Sequence, residues 1–136
     1  MSSPSSNTTE PELHPILAEL TAREPIFHRP QFASTPEDFA RMTAPNYWEI
    51  GASGRRYART FILDHLATHP PVDAAAAGWQ LLDPQLRQLG PNTYLFTYTL
   101  HQADRQTRRA TIWQLTPNGW QILYHQGTII TDPSQV

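Results

Sequence analysis

The sequence predicts an α+β domain in which three N-terminal helices cover one face of a bent antiparallel sheet. Two observations carry this. Proline-bounded segments with apolar residues at helical spacing occupy the first half. Long runs suited to strands, separated by turn-forming residues, occupy the second.

The elements follow in order. Four serines and two threonines among the first ten residues predict a disordered tip over 1–10. Leu13, Ile16, Leu17 and Leu20 fall at helical spacing, and Thr9 with Glu12 offers a capping box. Pro15 suits a first turn, so helix one is placed at Pro15–Glu24. Pro25 and Pro30 bracket Ile26-Phe27-His28-Arg29. Thr35-Pro36-Glu37-Asp38 then signals the N-cap of a short second helix that carries Phe39 and Met42 and ends at Pro45. Tyr47 to Ile50 reads as a strand, Gly51-Ala52-Ser53-Gly54 as a tight turn, and Arg56-Tyr57 as a return strand. A third helix carries Phe61, Ile62, Leu63 and Leu66 and closes at His69-Pro70-Pro71.

After the connector Ala74 to Gly78, strands are predicted at 79–82, 86–89, 93–102, 108–115 and 120–128. Gly90-Pro91-Asn92, Ala103-Asp104 and Pro117-Asn118-Gly119 form the turns. Alternation sends Tyr94, Phe96, Tyr98 and Leu100 toward the helices. Pairing across Asn118-Gly119 puts Thr111, Trp113 and Leu115 on one face with Trp120, Ile122, Tyr124 and Gln126. His125 then falls on the other face unless a bulge near Gly127 swings it inward. One domain spans 11–131, and 132–136 is a tail.

Composition removes several function classes. Ten basic and twelve acidic residues give a net charge of -2, and every basic residue is arginine. Without lysine there is no Schiff base or P-loop, and without cysteine no disulfide, thiolate ligand or cysteine nucleophile. The clusters Arg55, Arg56, Arg59 and Arg105, Arg108, Arg109 read as solvated turn and edge positions. A pI near 6.3 gives no basic excess for nucleic acid. No apolar run is long enough to span a bilayer, and a soluble, cytoplasmic protein is expected.

Glu49 is the leading candidate for chemistry. With Tyr47 on one side of its strand, it can meet an aromatic wall, where desolvation raises a carboxyl toward proton-transfer range. The alternative is a structural carboxylate that anchors the Gly51–Arg55 turn. His125 and His28 are candidate proton partners, or else hydrogen-bonded structural imidazoles. Phe27, Tyr47, Tyr98, Trp113 and Gln126 would line a pocket for a small organic molecule, or simply fill the core. The other histidines, His14, His65, His69 and His101, read as scattered, so neither a metal nor another cofactor is expected.

Two stretches resemble a known family. The first is Glu49-Ile50-Gly51-Ala52-Ser53-Gly54-Arg55, and the second combines Trp113, Gly119-Trp120 and His125-Gln126-Gly127-Thr128. Supported by Arg23-Glu24-Pro25-Ile26-Phe27-His28-Arg29-Pro30, they are similar to the nuclear transport factor 2-like superfamily and, within it, to the SnoaL-like branch known as domain of unknown function 4440. The resemblance covers about Leu13 to Thr131. It implies three N-terminal helices packed into the concave face of a curved antiparallel sheet, forming a cone with a cavity, a homodimer formed through the outer sheet surface, and either of two roles. One is a cofactor-independent acid/base enzyme of isomerase, dehydratase or cyclase type. The other is a non-catalytic binding or assembly module.

Overall fold

The structure, a computed structural model, describes residues 9–132. The expected tip and tail therefore lie almost wholly outside the described residues, with one instructive exception. Thr9 is buried, its N–H and hydroxyl both meet Gln85 Oε1 at 2.9 and 2.8 Å, and its Oγ1 accepts the Leu86 N–H at 2.9 Å. Held there, Thr9 does not cap Glu12. A short 3-10 turn, Pro11–Leu13, leads into α1, His14–Arg23. Glu24 is extended, as a residue before proline prefers, and this ends the helix ahead of Pro25.

Helix α2, Pro36–Met42, opens with a full capping box in which Thr35 accepts from the Asp38 N–H and Asp38 from the Thr35 N–H. The chain passes directly into β1, Thr43–Ile50. Pro45, expected to stop the helix, lies inside the strand where its pairing slips between Thr43 and Trp48, a place that tolerates a missing donor. Strand β2, Arg56–Ala58, runs into α3, Arg59–Thr68. Arg59 pins this helix by donating to Thr43 Oγ1 at 3.1 Å and the Ala40 carbonyl at 3.0 Å.

Four strands complete the chain: β3 Gln80–Gly90, β4 Thr93–His101, β5 Gln106–Thr116 and β6 Gly119–Ile129. The two strands predicted at 79–82 and 86–89 are one, β3. A register break between Leu82 and Gln85 interrupts it, and Asp83 there takes a positive φ of 54°. Strand order is β2-β1-β6-β5-β4-β3. The meander from β3 to β6 is antiparallel as predicted, but β1 joins β6 in parallel, so the curved, unclosed sheet is mixed. The long connection through β2 and α3 to the meander makes that pairing possible.

Leu13, Leu20 and Ile26 pack against Tyr94, Phe96, Tyr98, Leu100, Trp113 and Ile122, so the aromatic face of β4 points inward as alternation requires. The last hairpin begins as predicted, with Leu115 opposite Trp120 and Trp113 opposite Ile122. Ile112 then faces Tyr124, which leaves Leu123 as the extra residue of a bulge. One added residue reverses the face of everything after it. His125, paired with Thr111, turns inward and is buried, while Gln126 is exposed on the outer face. The predicted inward Tyr124 and Gln126 are thereby corrected, and the bulge that turns His125 is at Leu123 instead of near Gly127.

Candidate functional site

Strand register aligns one inward row across the sheet: Tyr57 on β2, Glu49 on β1, His125 on β6, Thr111 on β5 and Phe96 on β4. Near the β1 end of this row lies an open cleft of about 350 Å³. Glu49 borders it, as do Phe27 and His28 from the loop after α1, Ile62 and Leu66 from α3, and the following Pro70, Pro71 and Val72. Glu49 Oε1 accepts the Tyr47 hydroxyl at 2.6 Å, while Oε2 has no hydrogen-bond partner within the described residues. Burial raises the Glu49 pKa, opposed by the Tyr47 hydrogen bond and the nearby Arg109 guanidinium.

Phe27 packs edge-on against Phe39 and Tyr47, with ring centroids 5.6 and 6.4 Å apart. Its φ of 70° lies in the left-handed region that a bulky residue rarely adopts. Backbone strain of that kind persists where surrounding contacts dictate it, and it concentrates at functional surfaces. His28 donates from Nδ1 to the Val72 carbonyl at 2.7 Å, which ties the 70–72 rim to the loop after α1. Its ring also packs against Trp79. Burial lowers the His28 pKa, so the neutral imidazole presents Nε2 as an acceptor.

Deeper in the fold, a second carboxylate is fully enclosed. Glu24 is 0% exposed. Its Oε1 accepts from the Tyr98 hydroxyl at 2.8 Å and the Ile26 N–H at 3.2 Å, and Oε2 accepts from Trp113 Nε1 at 2.9 Å. The nearby Thr111 hydroxyl also favours the charged form of the carboxyl. Burial raises the Glu24 pKa and these donors counter it. Thr111 Oγ1 also lies 2.7 Å from His125 Nδ1. The buried His125 Nε2 has no hydrogen-bond partner among the described residues.

Burial, with Arg109 and His28 adding repulsion, pushes the His125 pKa down to about 3. The imidazole is therefore neutral near pH 7 and is not a ready proton donor there. Arg109 belongs to the inward set of β5 with Thr107, Thr111 and Trp113, and its Nε donates to Thr107 Oγ1 at 2.9 Å. The solvated-edge expectation for Arg109 is thus corrected. Its charge acts on Glu49, His28 and His125 together.

The structure brings Glu49, Phe27 and His28 to the cleft, while Tyr47 is enclosed behind them with its hydroxyl on Glu49. His125 comes next to Glu49 in the row, but sealed. Tyr98 and Trp113 are enclosed and direct their polar atoms to Glu24, and Gln126 is outside. Sequence reasoning missed Glu24 and Thr111, whose partners lie far away in the chain. It also missed Arg109, whose odd-numbered alternation with Thr107 and Thr111 was readable, and the four-residue spacing of His65 and His69, both of which border the cleft.

Comparison with known proteins bears on the fold. No protein-family model and no curated protein matches the chain. Solved structures do. A protein of unknown function from the DUF3225 family of Pectobacterium atrosepticum aligns at TM-score 0.65 with 14% identity, over 93% of this chain and 97% of that one. An NTF2-like protein from Cytophaga hutchinsonii aligns at 0.62 with 13% identity, over 89% and 100%. The CaMKII hub homology domain of Chlamydomonas reinhardtii aligns at 0.63 with 17% identity, over 85% and 98%. The SnoaL-like branch stays a resemblance of motifs alone. Among the described residues no helix is long and apolar enough to cross a membrane. At the level of architecture, the chain has the NTF2-like fold.

Proposed function

We propose that the cleft binds a small, partly apolar organic molecule and that Glu49 acts on it as a general base. One observation carries this reading. Glu49 has one oxygen held by Tyr47 and the other unpartnered beside an apolar cleft. The Tyr47 bond fixes the carboxylate's orientation, and partial burial strengthens it as a base near neutral pH. Phe27, Ile62 and Leu66 supply apolar walls. Proton abstraction beside a carbonyl, as in isomerisation, dehydration or cyclisation, uses this arrangement. His125 serves as a neutral partner that orders Thr111, and the proton is carried by Glu49.

A thermal-shift screen of small carbonyl, steroid-like and polyketide-like compounds tests this, because native-state ligands stabilise by mass action. A compound that stabilises the parent, and is turned over by it but not by Glu49→Gln, supports the reading. Absence of any shift across the screen counts against the cleft as a ligand site.

A second reading has its own support. Trp48, 42% exposed, packs edge-on against Tyr124 on the outer face, with ring centroids 4.6 Å apart. Structural neighbours include a putative kinase association domain from Xanthomonas campestris. A homodimer through this surface fits both observations, and Trp48→Glu would shift its mass in light scattering toward the monomer.

A further inference from the structure

We propose that His65 and His69 form a binding site for a divalent transition-metal ion, with water completing its coordination, at the rim of the cleft. The inference is independent of the Glu49 reading. His65 and His69 stand four residues apart at the end of α3, the spacing that puts two imidazoles on one helix face as a metal pair. Their rings are already adjacent, with centroids 4.3 Å apart and planes within 7° of parallel.

The hydrogen bonds decide which nitrogens are available. Thr68 Oγ1 lies 3.4 and 3.3 Å from the Asp64 and His65 carbonyls, which can only accept, so its proton points to them. Its oxygen, 2.9 Å from His69 Nδ1, must then accept the Nδ1–H. The His65 carbonyl, 3.3 Å away, accepts from the same nitrogen. The His69 lone pair is therefore on Nε2, with Nδ1–H held by backbone and hydroxyl, the arrangement that commonly orients a metal-bound histidine.

His65 has no ring hydrogen bond within the described residues, and its plane is restrained by Phe61, stacked 6.1 Å away at 11°. Tyr57 stacks on Phe61 in turn, at 5.1 Å. An ion shared by both rings, at the ordinary Zn–N distance of about 2.0–2.1 Å, requires these exposed rings to turn out of their parallel stack. The site sits in the last turn of α3, where unpaired carbonyls favour a cation. No cluster of three or more metal-ligating side chains occurs among the described residues, so water or a ligand oxygen must fill the remaining positions. Imidazole ligands suit Zn²⁺, Ni²⁺ or Cu²⁺ over Mg²⁺ or Ca²⁺.

Calorimetric titration of the purified chain with ZnCl2 and NiCl2 tests this, using the parent, His65→Ala, His69→Ala and, as a control, His14→Ala. The expected result is one ion per chain, bound at least about tenfold more weakly by each cleft-rim variant and unchanged by His14→Ala. Cu²⁺ paramagnetic resonance should show two bound nitrogens in the parent and fewer in either variant. Both side chains are exposed, and circular dichroism of the metal-free variants checks that folding is unchanged. Equal affinity in the parent and the two variants, or no binding at millimolar ion, overturns the proposal.

Discussion

Glu24 and Glu49 are the same residue type under the same first influence, burial, and each accepts a tyrosine hydroxyl. Their surroundings separate them. Both oxygens of Glu24 are bonded, to Tyr98, Ile26 and Trp113, in a site closed to solvent. Glu49 keeps one oxygen unpartnered at the edge of a cleft. A saturated carboxylate can only hold structure together, whereas an unsaturated one can still exchange a proton. The cone is thus filled at its centre by Trp113 and Tyr98 and open at the mouth beside Glu49. Thr111 and His125 join the two regions through one hydrogen bond.

Removing the saturated member should have the largest effect. Glu24→Ala strands the Tyr98 hydroxyl, the Trp113 N–H and the Ile26 N–H without an acceptor. Each stranded buried donor costs about 1–3 kcal/mol, so a loss of at least about 3 kcal/mol in all is expected in chemical denaturation. A loss no larger than that of Glu49→Ala would break the comparison.

His125 sharpens it, because it shares a sheet row with Glu49 but the enclosure of Glu24. Its folded pKa of about 3 lies below its ordinary 6.5, so as pH falls the unfolded chain takes up the proton first. Stability present above pH 6.5 is then lost toward pH 3, with a slope of up to about 1.4 kcal/mol per pH unit. The raised carboxylates act in the opposite direction, losing stability as pH rises above 4.5 through their folded pKa values. Subtracting the stability-versus-pH curve of His125→Asn from that of the parent cancels those carboxylates and should leave the histidine slope. A flat difference would place the imidazole in contact with water.

Much of this architecture is readable from local pattern. Thr35 and Asp38 are capping partners three residues apart, and the β4 aromatics alternate with period two, so both are legible in short windows. The parallel β1–β6 pairing is not, because nothing local in β1 names a partner more than seventy residues later. The Leu123 bulge is equally hidden. Ile122, Leu123 and Tyr124 are consecutive apolar residues that fit either register, and the choice between them decides where His125 and Gln126 point. Glu24 escaped for the same reason on a larger scale, since its donors Tyr98 and Trp113 lie 74 and 89 residues away. Glu49 was legible because its main partner, Tyr47, is only two residues before it.

A smaller effect is expected from Thr9→Val, which leaves the Leu86 N–H without its acceptor. About 1–2 kcal/mol should be lost in denaturation, enough to separate a docked Thr9 from an idle one.

The smallest effect on stability, and the most informative for function, belongs to Glu49→Gln. The amide oxygen can still accept from Tyr47, and the atoms facing the cleft already lack a protein partner. Denaturation should therefore place the variant within about 1 kcal/mol of the parent, the range of ordinary substitutions away from saturated networks. Proton transfer has no such latitude, because an amide is not a base at neutral pH. For a compound that the parent turns over, Glu49→Gln should retain its thermal shift and lose turnover by about 10²-fold or more. In the parent, turnover should rise with pH through the elevated Glu49 pKa, as the carboxylate form is the active one. Loss of several kcal/mol in Glu49→Gln would instead mean that Oε2 holds the Gly51–Arg55 turn, and the two carboxylates would then differ only in depth.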